Sequence, residues 1–205
     1  MLALGGIYLW VSMLTGPWML AGGLLDAADH FGTAQKKLTA GALKDARYET
    51  LAGVAAADRA RRGLDSNSPL FDLASMHPRI RGTLGEADHF VAAAQLSGRA
   101  ANGTLDIAQN ALRGPNKIIV KDPDDPKGGA RIRIDRVREI ARTVGHIRGA
   151  IGGVDEQLKK VNLAKIPRRL RPQVKRGIEQ ASTTRELLTK AEAGLEILPS
   201  FLGAD

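Results

Sequence analysis

Apolar residues fill the first 25 positions with little interruption, and beyond them they recur mainly at helical spacing. Met1 to Leu25 holds no Asp, Glu, Lys, Arg or His and includes Leu2, Leu4, Ile7, Trp10, Val11, Leu14, Trp18, Leu20 and Leu24. A helix crosses a bilayer with roughly 20 mostly apolar residues, so the pattern predicts a transmembrane anchor over 1–25. A cleaved signal peptide competes with this reading, but its apolar core would be shorter, about 7 to 15 residues, and would follow a basic segment; a buried soluble helix is the remaining alternative. Leu24, Ala28, Phe31 and Leu38 carry an apolar stripe onward as far as Gly41, the expected stop. A second helix is predicted from about 42 to 62, with Leu43, Ala46, Thr50, Val54 and Ala57 on one side. Arg59, Arg61 and Arg62 suit its negative C-terminal end, and Gly63 reads as its breaker.

The remaining pattern, over 65–205, is that of long helices. Ser68 and Pro69 have the order of an N-cap and first helical residue, opening a short helix with Leu70, Phe71 and Leu73 that ends before Pro78. A helix over about 79–113 sets Leu84, Val91, Gly98, Leu105 and Leu112 at heptad position a and Ala87, Ala94, Ala101 and Ala108 at d. Large residues beside alanines allow a partner helix to approach closely. Gly114 and Pro115 end it. Strand-like segments on either side of the acidic turn Asp122–Gly129 make 117–134 either a small β-hairpin or a disordered loop. The clearest period follows over 135–161, with Val137, Val144, Ile151 and Leu158 at a and Ile140, Ile147, Val154 and Val161 at d. A last helix over 172–198 aligns Val174, Ala181, Leu188 and Leu195 before Pro199. The expected fold is all-α: a transmembrane helix (1–25), membrane-proximal helices (26–64), then an elongated antiparallel bundle or coiled coil (65–205).

Composition adjusts this picture in two ways. Aromatic residues make up only 4% of the chain and alanines abound, which suits closely packed helices better than a bulky core. The net charge of +8 permits contact with nucleic acid, anionic lipid or an acidic envelope polymer. For a tethered chain the bilayer, lipid headgroups and envelope polymer are the nearer partners, together with self-association through helices. Nucleic acid is disfavoured, because the basic stretches lack interleaved aromatic residues for base stacking. There is no cysteine, which excludes disulfides and thiolate metal sites.

Candidate chemistry is sparse. The histidines His30, His77, His89 and His146 do not share a helix at metal-binding spacing; Asp26 and His30 have that spacing, beside Asp29, but without a further histidine, so a solvated face is the simpler reading. Gly128 and Gly129 lack the setting of a P-loop, no serine elbow occurs, and Asp122, Asp124 and Asp125 lack the glycine and terminal glutamate of a calcium loop. No catalytic residue, metal site or cofactor is therefore assigned. The candidate contact for anionic polymer or lipid is Lys165, Arg168, Arg169, Arg171, Lys175 and Arg176, a run without an acid; Arg131, Arg133, Arg136 and Arg138 form a second basic group. A solvated helix connection is the simpler reading of both groups.

Three segments carry a resemblance: S-P-L-F-D-L-A at 68–74, R-I-D at 133–135 and A-G-L-E-I-L-P-S-F-L-G-A-D at 193–205. With the apolar start and helical body, they resemble the N-terminal half of bacterial membrane proteins of the domain of unknown function 4012 family, common in GC-rich actinobacteria. The resemblance implies a basic tail before the apolar segment and, after the final L-G-A-D, a larger α/β domain similar to the LytR-CpsA-Psr enzymes that attach polymers to the cell wall. On that likeness the chain is clipped at both ends. No basic residue precedes the apolar segment, whereas Lys36, Lys37, Lys44 and Arg47 follow it, so a literal positive-inside count puts the body in the cytoplasm. The tail implied by the resemblance discounts that count. The expectation is a single-pass protein of the bacterial cytoplasmic membrane with its body outside the cytoplasm. Its expected function is that of a non-catalytic helical stalk presenting a downstream domain. The alternatives are a sensor or chemoreceptor-like helical ectodomain and an accessory part of an envelope-polymer-processing enzyme.

Overall fold

The computed structural model describes residues 2–66, 76, 78–110, 119–121, 130–165, 168 and 171–201. Five α-helices follow one another among them: α1 (Leu2–Thr39), α2 (Leu43–Leu64), α3 (Pro78–Asn110), α4 (Ile134–Lys160) and α5 (Arg171–Phe201). The class is all-α. Between α3 and α4 two three-residue strands, β1 (Ile119–Lys121) and β2 (Ala130–Ile132), pair antiparallel with Ile119 opposite Ile132. The turn expected over 122–129, the short helix around 70–73 and the stop at Gly114 and Pro115 lie outside the described residues.

Local chemistry sets the turns. Gly41 takes φ 75, which a residue without Cβ adopts at little cost, and the amides of Gly41 and Ala42 donate to the carbonyls of Leu38 and Lys37 at 3.0 and 2.9 Å. The chain thereby reverses within three residues, and α2 runs back along α1. Gly16 faces Gly63, Gly23 faces Ala56 and Ala60, and His30 Nδ1 meets Glu49 Oε2 at 2.7 Å. A Cβ placed on Gly23 would lie 2.6 Å from the Ala60 backbone nitrogen, and one on Gly63 would lie 2.5 Å from that of Leu20. The two backbones touch because these glycines leave room. Gly63, expected as a breaker, is thus a packing residue inside α2, which continues to Leu64.

The other neighbours alternate in direction. Arg61 pairs with Asp88 and Arg47 with Asp106, so α3 runs antiparallel to α2. His89 meets Gln157 and Gly103 packs on Ile147, placing α4 antiparallel to α3; Gly177 packs on Leu158 and Glu192 pairs with Arg148, placing α5 antiparallel to α4. The core has two parts. One joins α1, α2 and α3 through Leu20, Ala60 and Val91 and through Ala27, Ala56 and Ala57; the other joins α3, α4 and α5 through Ala93, Val154 and Ala181 and through Val161, Val174 and Phe90. α3 belongs to both.

The expected membrane location is corrected by this arrangement. Among the described residues no helix is long and apolar enough to cross a membrane, which stands against a single-pass protein. The physical reason lies in 16–25. Gly16, Leu20 and Gly23 are buried, and α2 lies alongside with a charged end: Arg59 Nη1 binds Asp26 Oδ2 at 2.9 Å. A stretch that gives one face to a charged helix is not a span bathed in lipid on all sides.

A two-helix coiled coil is not supported either. Val137, Val144, Ile147, Val154 and Val161 are buried as the heptad reading requires, but Ala141, Gly152 and Asp155 are buried too, and Ile140, Ile151 and Leu158 only half so. α4 is covered on two sides, by α3 and α5, and its buried stripe is wider than a single seam. Pro199, expected as the closing residue, sits inside the last turn of α5.

Candidate functional site

The predicted basic run comes together where α4 turns into α5. α4 ends on Lys159 and Lys160, cations at the negative end of its dipole, and a 3₁₀ turn at Leu163–Lys165 follows. Glu86, on α3 and only 5% exposed, ties this turn down: its Oε2 accepts the Asn162 amide at 2.7 Å and its Oε1 faces Lys165 Nζ at 3.2 Å. Burial alone would raise the Glu86 carboxyl, but the Asn162 amide and the Lys165 ammonium outweigh it and hold the group below its usual range. Arg171 opens α5 and donates from Nη2 to the Ala164 carbonyl at 3.0 Å.

The six candidate residues therefore divide. Lys165 and Arg171 hold the connection in shape, whereas Arg168, Lys175 and Arg176 are exposed; Arg169 lies outside the described residues. Arg176 Nε donates to the Pro172 carbonyl of its own helix at 3.4 Å. α5 has no acid in its first turn, so these cations stand at the positive end of a helix dipole, where an acid would be favoured. Two members of the second basic group pair locally: Arg133 Nη2 binds Asp135 Oδ2 at 2.8 Å and Arg136 binds Glu139. Arg133, beside it, is the main reason that the Asp135 carboxyl is held below its usual range.

The histidines are placed as follows. His30 pairs with Glu49, His89 Nδ1 meets Gln157 Oε1 at 2.9 Å, and His146 is exposed on α4; His77 lies outside the described residues. Asp26 is paired with Arg59, and among the described residues no group of three metal-ligating side chains converges. The half calcium loop at Asp122, Asp124 and Asp125 also lies outside them.

Sequence reasoning missed a groove of about 810 Å³ between α3 and α4, lined by Leu96, Arg99, Arg142, His146, Ile147 and Ala150 among others. Its residues come from two helices that are far apart in the chain, so no local spacing announces it. The fold and the basic end define an all-helical bundle with an exposed cationic tip. No family model, no curated protein and no solved structure matches the chain.

Proposed function

We propose that the chain is a non-catalytic helical spacer, a scaffold that sets a fixed distance between its two ends and meets an anionic polymer at the α4–α5 tip. The observation that carries this reading is the series of interhelical ties spread along the bundle. Asp26–Arg59, His30–Glu49, Asp88–Arg61, Asp155–Arg185 and Glu192–Arg148 each join two helices, and none of these residues lines the groove between α3 and α4. The likeness of 68–74, 133–135 and 193–205 to the domain of unknown function 4012 proteins supports the same role, with the bundle holding out a larger α/β domain. Self-association through the helices and contact with lipid headgroups belong to the same reading of the partners.

The spacer role is tested by distance. The chain has no cysteine, so Lys37→Cys and Lys160→Cys, both at exposed sites near opposite ends, take paired spin labels cleanly. A single narrow distance of roughly 30 to 40 Å, the length of about 24 helical residues, supports a rigid spacer, and a broad distribution overturns it. The tip is tested separately with poly(glycerol phosphate). Replacing Arg168, Lys175 and Arg176 together by Gln should weaken binding about tenfold or more and flatten its salt dependence; unchanged affinity removes the tip from the reading.

A further inference from the structure

The groove between α3 and α4 has a charge pattern that the spacer role does not use. Five charged side chains line it: Arg99 and Asp106 from α3, and Glu139, Arg142 and His146, when protonated, from α4. The two acids are already engaged. Asp106 faces Arg47 of α2 at 3.9 Å, and Glu139 is bound by Arg136 of its own helix. Arg99 and Arg142 form no ion pair among the described residues, so the lining offers two guanidinium groups outside any such pair, alongside the two carboxylates and the His146 imidazole.

Below this rim the surface is apolar. Leu96, Ile147 and Ala150 line the groove, and Ile147 is 6% exposed. Gly103 and Gly149 lie on the two walls; a Cβ on Gly149 would meet nothing within 4 Å, whereas one on Gly103 would strike Ile147 at 2.8 Å. The missing side chains open the groove at Gly149 and let Ile147 sit low against α3. Its volume falls in the range of about 300 to 1,000 Å³ typical of small-molecule sites. Guanidinium groups pair with carboxylate or phosphate oxygens through two parallel hydrogen bonds, and an apolar floor gives nothing to a fully hydrated ion.

We infer that this groove binds an amphiphilic organic anion, a carboxylate or phosphate head held by Arg99 and Arg142 with its apolar body on Leu96, Ile147 and Ala150. The inference is independent of the spacer reading, since a rigid bundle and a ligand groove on its side neither require nor exclude each other.

Calorimetric titration of the intact chain with octyl phosphate tests it, with inorganic phosphate and octyltrimethylammonium as comparisons. Octyl phosphate should bind about tenfold or more tightly than either, because each comparison lacks one half of the recognised chemistry. Arg99→Gln with Arg142→Gln should reduce that affinity about tenfold or more, and both residues are exposed and in no ion pair among the described residues, so the fold is not at stake. Gly149→Leu, which fills open space, should weaken octyl phosphate by several fold while leaving inorganic phosphate unchanged. Arg168→Gln with Arg176→Gln, at the distant tip, should leave octyl phosphate binding as it was. Equal binding of the octyl cation, indifference to the double arginine variant, loss of binding only on changing the tip, or no binding of octyl phosphate would each overturn the inference. A carboxylate source is separated from a phosphate source by repeating the titration with octanoate.

Discussion

Adjacent glycines in α1 have opposite roles. A Cβ on Gly22 would meet nothing within 4 Å, whereas a Cβ on Gly23 would stand 2.6 Å from the Ala60 nitrogen and 2.7 Å from the Ala56 oxygen. Helix propensity favours alanine at both, by about 0.5 to 1 kcal/mol. At Gly23 the clash is with backbone, which cannot swing away, and overpacking of this kind costs about 1 to 3 kcal/mol. Urea unfolding should therefore show Gly22→Ala stabilised by about 0.5 to 1 kcal/mol and Gly23→Ala destabilised by more than that. Equal effects would mean that α1 and α2 do not meet backbone to backbone. The sequence shows a glycine pair here, but nothing in it tells which member faces a neighbour, because glycine has no apolar side chain to register in a periodic pattern.

At the level of elements, Glu86 ties α3 to the connection between α4 and α5. Its carboxyl has an ordinary value of 4.5 when unfolded and lies lower in the fold. A depressed carboxylate contributes stability that is fully present above the unfolded value and is lost as pH falls through the folded one, because the unfolded chain takes up the proton first. Stability should thus decline as pH drops below about 4.5 through this group. Glu86→Gln should cost about 1 to 3 kcal/mol at neutral pH and flatten that decline, as read from urea midpoints across the acid range. The elements themselves were largely legible in the pattern. The helices expected over 79–113, 135–161 and 172–198 correspond to Pro78–Asn110, Ile134–Lys160 and Arg171–Phe201. What escaped was the second buried line of α3. Val91 and Leu105 mark its heptad seam, but Ala93 and Gly103 face α4 and α5 as small residues that a search for large apolar positions passes over. The apolar start misled for a related reason, since Gly16, Leu20 and Gly23 are as uncharged as a membrane span yet are spent on contact with α2. Of the candidate site, the basic run was visible as consecutive cations, whereas the groove depends on residues from two helices whose facing sides only packing decides.

For the whole molecule the consequence of a shared α3 is that neither half has a complete core without it. α3 packs on α1 and α2 through Val91 and on α4 and α5 through Ala93, while α5 is covered mainly from the side of α4. Local openings should therefore leave α3 until last. Hydrogen exchange followed by mass spectrometry should find the slowest amides in the middle of α3, around residues 91–105, and faster exchange along α5; the reverse order would show that the two halves are not joined through α3. The alternation of the five helices has one more effect. Because their number is odd, the first described residue and the last stand at opposite ends of the rod. A pull applied through those two points would run along the helix axes, sliding α1 against α2 and α5 against α4, so that every interface in series bears the load at once. Helices sheared in this way yield together, whereas a bundle with both ends on one side would peel open one helix at a time.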